Sequence, residues 1–168
     1  MTFTITSKKY GSHEVLIDDA DYDRVKDYTW GISKSRNIMY IKTNRNTLAL
    51  HRLIMNCPDD KQVDHINHNT LDNRKENLRV CTHVENNRNK PKRSKLTSSI
   101  YKGVHKEVII TKNGSYTKFR PSIKYGGKVI HLGLFDSEIE AATIYNNAAI
   151  IYHKEFACLN KFNINMEL

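Results

Sequence analysis

Cysteine is scarce and unpaired in this 168-residue sequence. Cys57, Cys81 and Cys158 are odd in number, widely spaced and include no CxxC. Such spacing argues against a disulfide framework and against a structural zinc site, so the three read as ordinary packing residues. Long apolar runs are missing too. No stretch approaches the ~20 residues needed to span a bilayer, and the opening MTFTITSKKYGSHE lacks the apolar core of a secretory signal. These absences predict a cytoplasmic protein with no membrane partner. Hydrophobic residues make up 39% of the chain and mean hydropathy is −0.63, which describes a modest core. The length allows one domain or two small ones.

Acid is the other scarcity, and it is local. Between Arg88 and Lys128 a single acid, Glu107, stands against twelve Lys or Arg. The segment is therefore +11 in a chain of formal charge +9, so everything else sums to −2. A basic stripe of this kind suits a polyanion such as nucleic acid. On charge alone, a solvated and solubilising surface is an equal reading.

What is present centres on Val63 to Asn89, VDHINHNTLDNRKENLRVCTHVENNRN. Gln62 to Ile66 alternates as a strand does, and a loop of Asn, Asp and His follows. Leu78-Arg79-Val80-Cys81 reads as a second strand, and Thr82 or His83 opens a polar helix carrying Glu85, Asn86 and Asn87. The residue types suit a hard divalent cation held by the oxygens of Asp64 and Asn86, beside an unliganded imidazole that activates water. The blander role for Asn73, Asn77 and Asn87 is to satisfy the backbone of their own loop.

These residues resemble the HNH nuclease motif, in the version common among phage-type and homing endonucleases, where the last His is replaced by Asn. The resemblance implies that His65 is the general base, that Asp64 and Asn86 are the metal ligands, and that Asn77 pins the loop between the strands. Leu50-His51-Arg52-Leu53-Ile54-Met55 is similar to the lead-in of that subfamily. Relatives usually carry Gly where this chain has His68 and Thr70.

Residues 1–50 read as a β-rich leader. Phe3 to Thr6 and Glu14 to Ile17 alternate as strands about a turn at Tyr10-Gly11, and Asp19 or Asp21 is placed to cap a short helix through Val25 and Tyr28. Trp30 to Ile32 and Ile38 to Ile41 read as a hairpin turning around Ser35-Arg36-Asn37, and Thr47 to Leu50 as one more strand before a helical turn from His51 to Asn56. Trp30 reads as a core anchor. Residues 91–97 form a basic linker, since Pro91 discourages helix and the charges keep it extended.

Residues 98–160 carry their own pattern. Ile100 to Val104, Lys118 to Tyr125 and Lys128 to Leu134 are strand-like, with turns at Asn113-Gly114 and Gly126-Gly127. Ser137 to Glu140 fits a capping box opening an Ala-rich helix to about Tyr152. In the middle strand Lys118, Arg120, Ser122 and Lys124 share one face and Phe119, Ile123 and Tyr125 the other. That predicts a basic sheet face opposite a helix-covered one, a shape that fits the major groove.

This half resembles the Apetala/ethylene-response-factor type of DNA-binding domain, through Tyr101-Lys102-Gly103-Val104, Lys118-Phe119, His131 to Phe135, Glu140-Ala141-Ala142, Tyr145, Ala148-Ala149, Ala157 and Leu159-Asn160. The resemblance implies a DNA-binding face. His105, Lys124, Val129 and His131 stand where arginines or tryptophan are usual in that family.

Together the sequence predicts an α+β protein. Residues 1–50 are the leader, 51–90 a ββα-metal nuclease unit, 91–97 the linker, 98–160 a three-stranded antiparallel sheet packed on one helix, and 161–168 a tail. The expected activity is metal-dependent hydrolysis of DNA by a monomer, with one Mg²⁺ or Mn²⁺, no structural zinc and double-stranded DNA as partner. Arg88, Lys92, Arg93, Lys102, His105, Lys118, Arg120, Lys124 and His131 are the expected DNA contacts. By resemblance the gene belongs to a phage or mobile element and the protein works in a bacterial host's cytoplasm. The alternative is a non-catalytic, sequence-specific DNA-binding regulator. An RNA-binding module fits less well, because exposed aromatic repeats that stack unpaired bases are missing.

Overall fold

The computed structural model describes residues 1–168 except 36, 44, 46, 93–98 and 163–168. The chain forms two compact units, Met1–Asn86 and Asn87–Leu168.

In the first unit, β1 (Thr2–Ser7) and β2 (Gly11–Leu16) pair antiparallel, from Thr2 opposite Leu16 to Ser7 opposite Gly11. Gly11 turns the hairpin at φ +78, a left-handed value that glycine adopts without a Cβ penalty. A turn of 3₁₀-helix (Asp19–Asp21) leads into α1 (Tyr22–Val25), and β3 (Trp30–Ser35) pairs with β4 (Ile38–Thr43).

Two expectations for the leader are corrected. The short helix stops at Val25 instead of reaching Tyr28, and Asp21, although it holds the N-cap position, makes no side-chain capping hydrogen bond. Asp21 is buried, and its Oδ1 receives Arg24 from the next turn at 3.1 Å and Lys75 from the later loop at 2.9 Å, so the carboxylate is engaged in ion pairs. The strand over 47–50 reduces to an isolated bridge between Ala49 and Lys42. Leu50 instead begins α2 (Leu50–Ile54), because a helical turn puts Leu50 and Ile54 on one face and buries both.

The hairpin β5 (Gln62–His65) and β6 (Leu78–Cys81) follows, then α3 (His83–Asn89). Thr82 opens α3 with a capping box. Its Oγ1 accepts from the Glu85 amide at 3.2 Å, while Glu85 Oε2 accepts from the Thr82 amide at 2.7 Å.

One core joins leader to hairpin: Ile5, Val15, Ile17, Val25, Ile41, Leu50, Ile54, Val63 and Leu78. Fully burying side chains of this size contributes about 1.5–3 kcal/mol each. Trp30 is half-buried against this core, and its indole N–H donates to the Val25 carbonyl at 2.9 Å.

The second unit holds β7 (Val104–Thr111), β8 (Gly114–Tyr125), β9 (Lys128–His131) and α4 (Glu138–His153), with the strands in the order β7-β8-β9. Three strand boundaries are corrected. The middle strand begins at Gly114 rather than Lys118, because the hairpin pairs it with β7 as far as Thr111. The first strand does not run from Ile100 to Val104; it begins at Val104. Gly103 just before it adopts φ +74, where an added Cβ would meet the Tyr145 ring at 2.0 Å. The third strand ends at His131 rather than Leu134, because Gly133 lies at φ +117 and Phe135 turns back to bridge Phe119.

Ser137 caps α4 as its sequence predicts, its hydroxyl accepting from the Glu140 amide at 3.3 Å. Ala141, Ala142, Tyr145, Ala148 and Ala149 are buried, and they pack with Val104, Phe119, Ile123 and Ile130. Small residues on the helix allow that close approach to the sheet. Cys57, Cys81 and Cys158 are free thiols.

Candidate catalytic centre and nucleic-acid face

β5 carries the centre because alternation sends its residues to opposite faces. Val63 and His65 point one way, Val63 into the core and His65 towards His51 and Asn73. Gln62 and Asp64 point the other way, where the ladder sets Asp64 opposite Arg79.

His65 is 5% exposed, and its Nε2 lies 3.3 Å from Asn73 Oδ1. Asn73 Nδ2 donates to the Thr70 carbonyl at 3.4 Å, which leaves its oxygen facing the imidazole. An amide oxygen only accepts, so Nε2 carries the proton and Nδ1 the basic lone pair. Burial lowers the His65 pKa below the ordinary imidazole value, against smaller raising effects of the Asn73 hydrogen bond and the Asp64 and Asp72 charges. His51 stands edge-on to His65, with ring centroids 5.2 Å apart. Its pKa is lowered to about 3, by burial first and then by the charges of His65, Arg52 and Lys42. Tyr40 borders His51 at 5.8 Å between centroids, and its hydroxyl pKa is raised by burial and then by Asp64.

Asp64 is 6% exposed. Its Oδ2 receives Arg79 Nε at 2.9 Å and Nη2 at 2.7 Å. Asn86 on α3 donates Nδ2 to Gln62 Oε1 at 2.7 Å, and Gln62 Nε2 lies 3.2 Å from His83 Nδ1. Gln62 therefore links Asn86 to the strand face that carries Asp64. With its nitrogen committed, Asn86 has the carbonyl oxygen to offer a cation. A carboxylate and an amide oxygen, with no thiolate among them, form a donor set that fits a hard ion such as Mg²⁺ or Mn²⁺.

The loop between β5 and β6 satisfies itself. Asn77 Oδ1 accepts from the Asn67 amide at 2.9 Å, and its Nδ2 donates to the Asp72 carbonyl at 2.8 Å. Asn67 and Asn69 accept from the Asn69 and Leu71 amides. His68 takes φ +66, a left-handed conformation that glycine adopts without a Cβ penalty. The leader also holds this loop: Asn73 N donates to the Leu16 carbonyl, Leu16 N to the Leu71 carbonyl, and the Thr70 hydroxyl to the Met39 carbonyl.

The expected DNA contacts fall into three groups. His105, Lys118, Arg120, Lys124 and His131 share the sheet face opposite α4, since His105 pairs with Arg120 and His131 with Ser122. Two of these cations are partnered within the unit, Arg120 by Glu107 and Lys118 by Asp136 at 2.6 Å. Lys92 and Lys102 turn inward instead. Lys92 Nζ donates to the Ser99, Tyr101 and Val104 carbonyls, and Lys102 Nζ to those of Arg88 and Lys90. Arg88 lies over the Tyr125 ring at 5.7 Å. Arg93 lies outside the described residues.

Sequence reasoning missed Gln62, Asn73 and Arg79 as partners of the centre. Arg79 was legible from strand register once β5 and β6 are paired. His51 and Tyr40 reach His65 only through tertiary packing, which no local pattern announces.

A buried carboxylate and a neutral imidazole adjacent on one strand, with an amide on the helix after the hairpin, are the equipment of a hydrolytic centre. Residues 49–88 match the family model described as HNH endonuclease. Over 167 residues the chain is 34% identical to a protein named as an uncharacterized HNH endonuclease of Acanthamoeba polyphaga mimivirus, covering 96% of this chain and 81% of the relative. The chain belongs to the HNH endonuclease family, hydrolases that cut phosphodiester chains internally. Its mixed α/β architecture of small antiparallel sheets and few helices is compatible with that family. No solved structure matches the chain. Among the described residues, no helix is long and apolar enough to cross a membrane.

Proposed function

We propose that this protein is a metal-dependent endonuclease acting on duplex DNA, with His65 as general base and Asp64 and Asn86 as cation ligands. The observation that carries the reading is a buried, neutral His65, its Nε2 proton directed to Asn73, next in sequence to the buried Asp64 carboxylate. His65 takes a proton from water at Nδ1, and the resulting hydroxide attacks phosphorus in line with the leaving 3′-oxygen. The bond from phosphorus to the 3′-oxygen breaks and that oxygen takes a proton from water, so the products carry a 5′-phosphate and a 3′-hydroxyl. Asp64 and Asn86 supply oxygens to one Mg²⁺ or Mn²⁺, which when bound stabilises negative charge on the phosphate and leaving oxygen. Asn77 acts by holding both ends of the loop that carries Asn73.

The second unit grips DNA through the face bearing His105, Lys118, Arg120, Lys124 and His131, as an Apetala/ethylene-response-factor-like domain would. Arg88 and Arg93 are further phosphate contacts, while Lys92 and Lys102 serve first to stitch the fold. A viral or mobile-element origin accords with the mimivirus relative. Incubation with supercoiled plasmid tests the proposal: nicked or linear product with Mg²⁺ and none with EDTA supports it, and equal cutting in both contradicts it.

A further inference from the structure

Arg79 spends two guanidinium nitrogens on a single oxygen of Asp64, at 2.9 and 2.7 Å. The pair is nearly sealed, the side chains being 15% and 7% exposed. The contact is built into the ladder, because register places these residues directly opposite each other on β5 and β6. A carboxylate withdrawn from water requires a compensating charge, and arginine supplies one that does not titrate. The same charge repels any metal ion that approaches Asp64, and two donated hydrogen bonds compete for the oxygen's lone pairs.

We propose that Arg79 is a resident counter-cation: it holds the Asp64 carboxylate in place while no metal ion is bound and weakens the ion's binding when DNA is absent. The inference rests on the reading of Asp64 as a cation ligand. A DNA phosphate entering the centre offsets the excess positive charge, so ion and DNA bind cooperatively. Linkage makes that effect reciprocal: each raises the other's affinity by the same factor. Arg79 is thus a positioning residue, and its effect appears in ion affinity as well as in rate.

The test is Mn²⁺ binding to the full-length, DNA-free protein, followed by calorimetry. Arg79→Gln should bind Mn²⁺ about tenfold more tightly than the parent, equivalent to about 1.4 kcal/mol. Arg79→Lys, which keeps the charge, should stay close to the parent. Unchanged or weaker binding by Arg79→Gln overturns the proposal, as does equal tightening by Arg79→Lys. A measurement on the parent covers the case in which Arg79→Gln does not fold. The ¹⁵Nε–H signal of Arg79 should shift during a Mg²⁺ titration, and a signal unmoved at saturation contradicts the proposal. Asp64→Asn separates the two levels of argument. If Asp64→Asn and the parent bind Mn²⁺ equally, the ligand reading itself fails, whatever Arg79 does.

Discussion

His51 and His65 meet edge to face, with ring centroids 5.2 Å apart and planes at 78°. One comes from the helix that follows the leader and the other from the strand that carries Asp64. Burial is the leading reason that both imidazoles have lowered pKa values. A neutral His65 is what a general base requires, and His51 helps to enclose it.

The first consequence is kinetic. A base works in its unprotonated form, so the cutting rate should rise with pH with its inflection below the ~6.5 of an exposed imidazole. A rate–pH profile from about pH 4.5 to 8 checks this, with the metal concentration held saturating. An inflection above 7 contradicts a buried, neutral His65.

The second consequence is stability. The His51 pKa is about 3 in the folded protein and ~6.5 when unfolded. The unfolded chain therefore takes up a proton that the folded chain refuses. Stability from this group is fully present above ~6.5 and is lost as pH falls towards 3, at up to about 1.4 kcal/mol per pH unit. Melting temperatures measured at intervals from neutral to about pH 4.5 should fall, and His51→Phe should flatten the decline. An unchanged decline in that variant would show that other groups cause it.

Asn77 closes the loop between β5 and β6 with two side-chain hydrogen bonds. Asn77→Ala leaves the Asp72 carbonyl and the Asn67 amide without those partners and should cost about 2–3 kcal/mol. Urea unfolding monitored by Trp30 fluorescence reports on this unit. A loss below about 0.5 kcal/mol would mean that the loop does not depend on Asn77.

On the sheet face of the second unit, Glu107 holds the Arg120 guanidinium. Glu107→Gln removes the one acid within the basic stretch and should strengthen duplex binding. Lys124→Ala should weaken binding and reduce the slope of log affinity against log salt by about 0.9, the share of one phosphate contact. Fluorescence anisotropy at several salt concentrations gives both numbers. An unchanged slope for Lys124→Ala would place DNA elsewhere.

Much of this arrangement is legible in the sequence because it is local. Alternation around Asp64, the breaks at Asn113-Gly114 and Gly126-Gly127, and the Ser137 cap each act within a few residues. The alternation of Lys118, Arg120, Ser122 and Lys124 against Phe119 and Ile123 places the basic face and the helix-covered face. What escapes is decided at longer range. Leu50 joins a helix because the core rewards burying it with Ile54, although its neighbours look strand-like. Gly103 breaks the strand at Ile100 because Tyr145, far along the chain, occupies the space beside it. Lys92 and Lys102 look like surface cations, yet backbone carbonyls capture both. The contact of His51 with His65 has the same origin, since two distant segments must pack before the imidazoles meet.

The most direct measurement of the central claim compares the parent with His65→Ala on one DNA fragment, scoring binding and Mg²⁺-dependent cutting in the same reactions. His65 is assigned proton transfer rather than grip. The variant should therefore bind with affinity close to the parent's and cut at least about a hundredfold more slowly, within the ~10²–10⁴-fold range of acid–base catalysis. A His65→Ala protein that binds normally and cuts at more than about a hundredth of the parent rate would contradict the account.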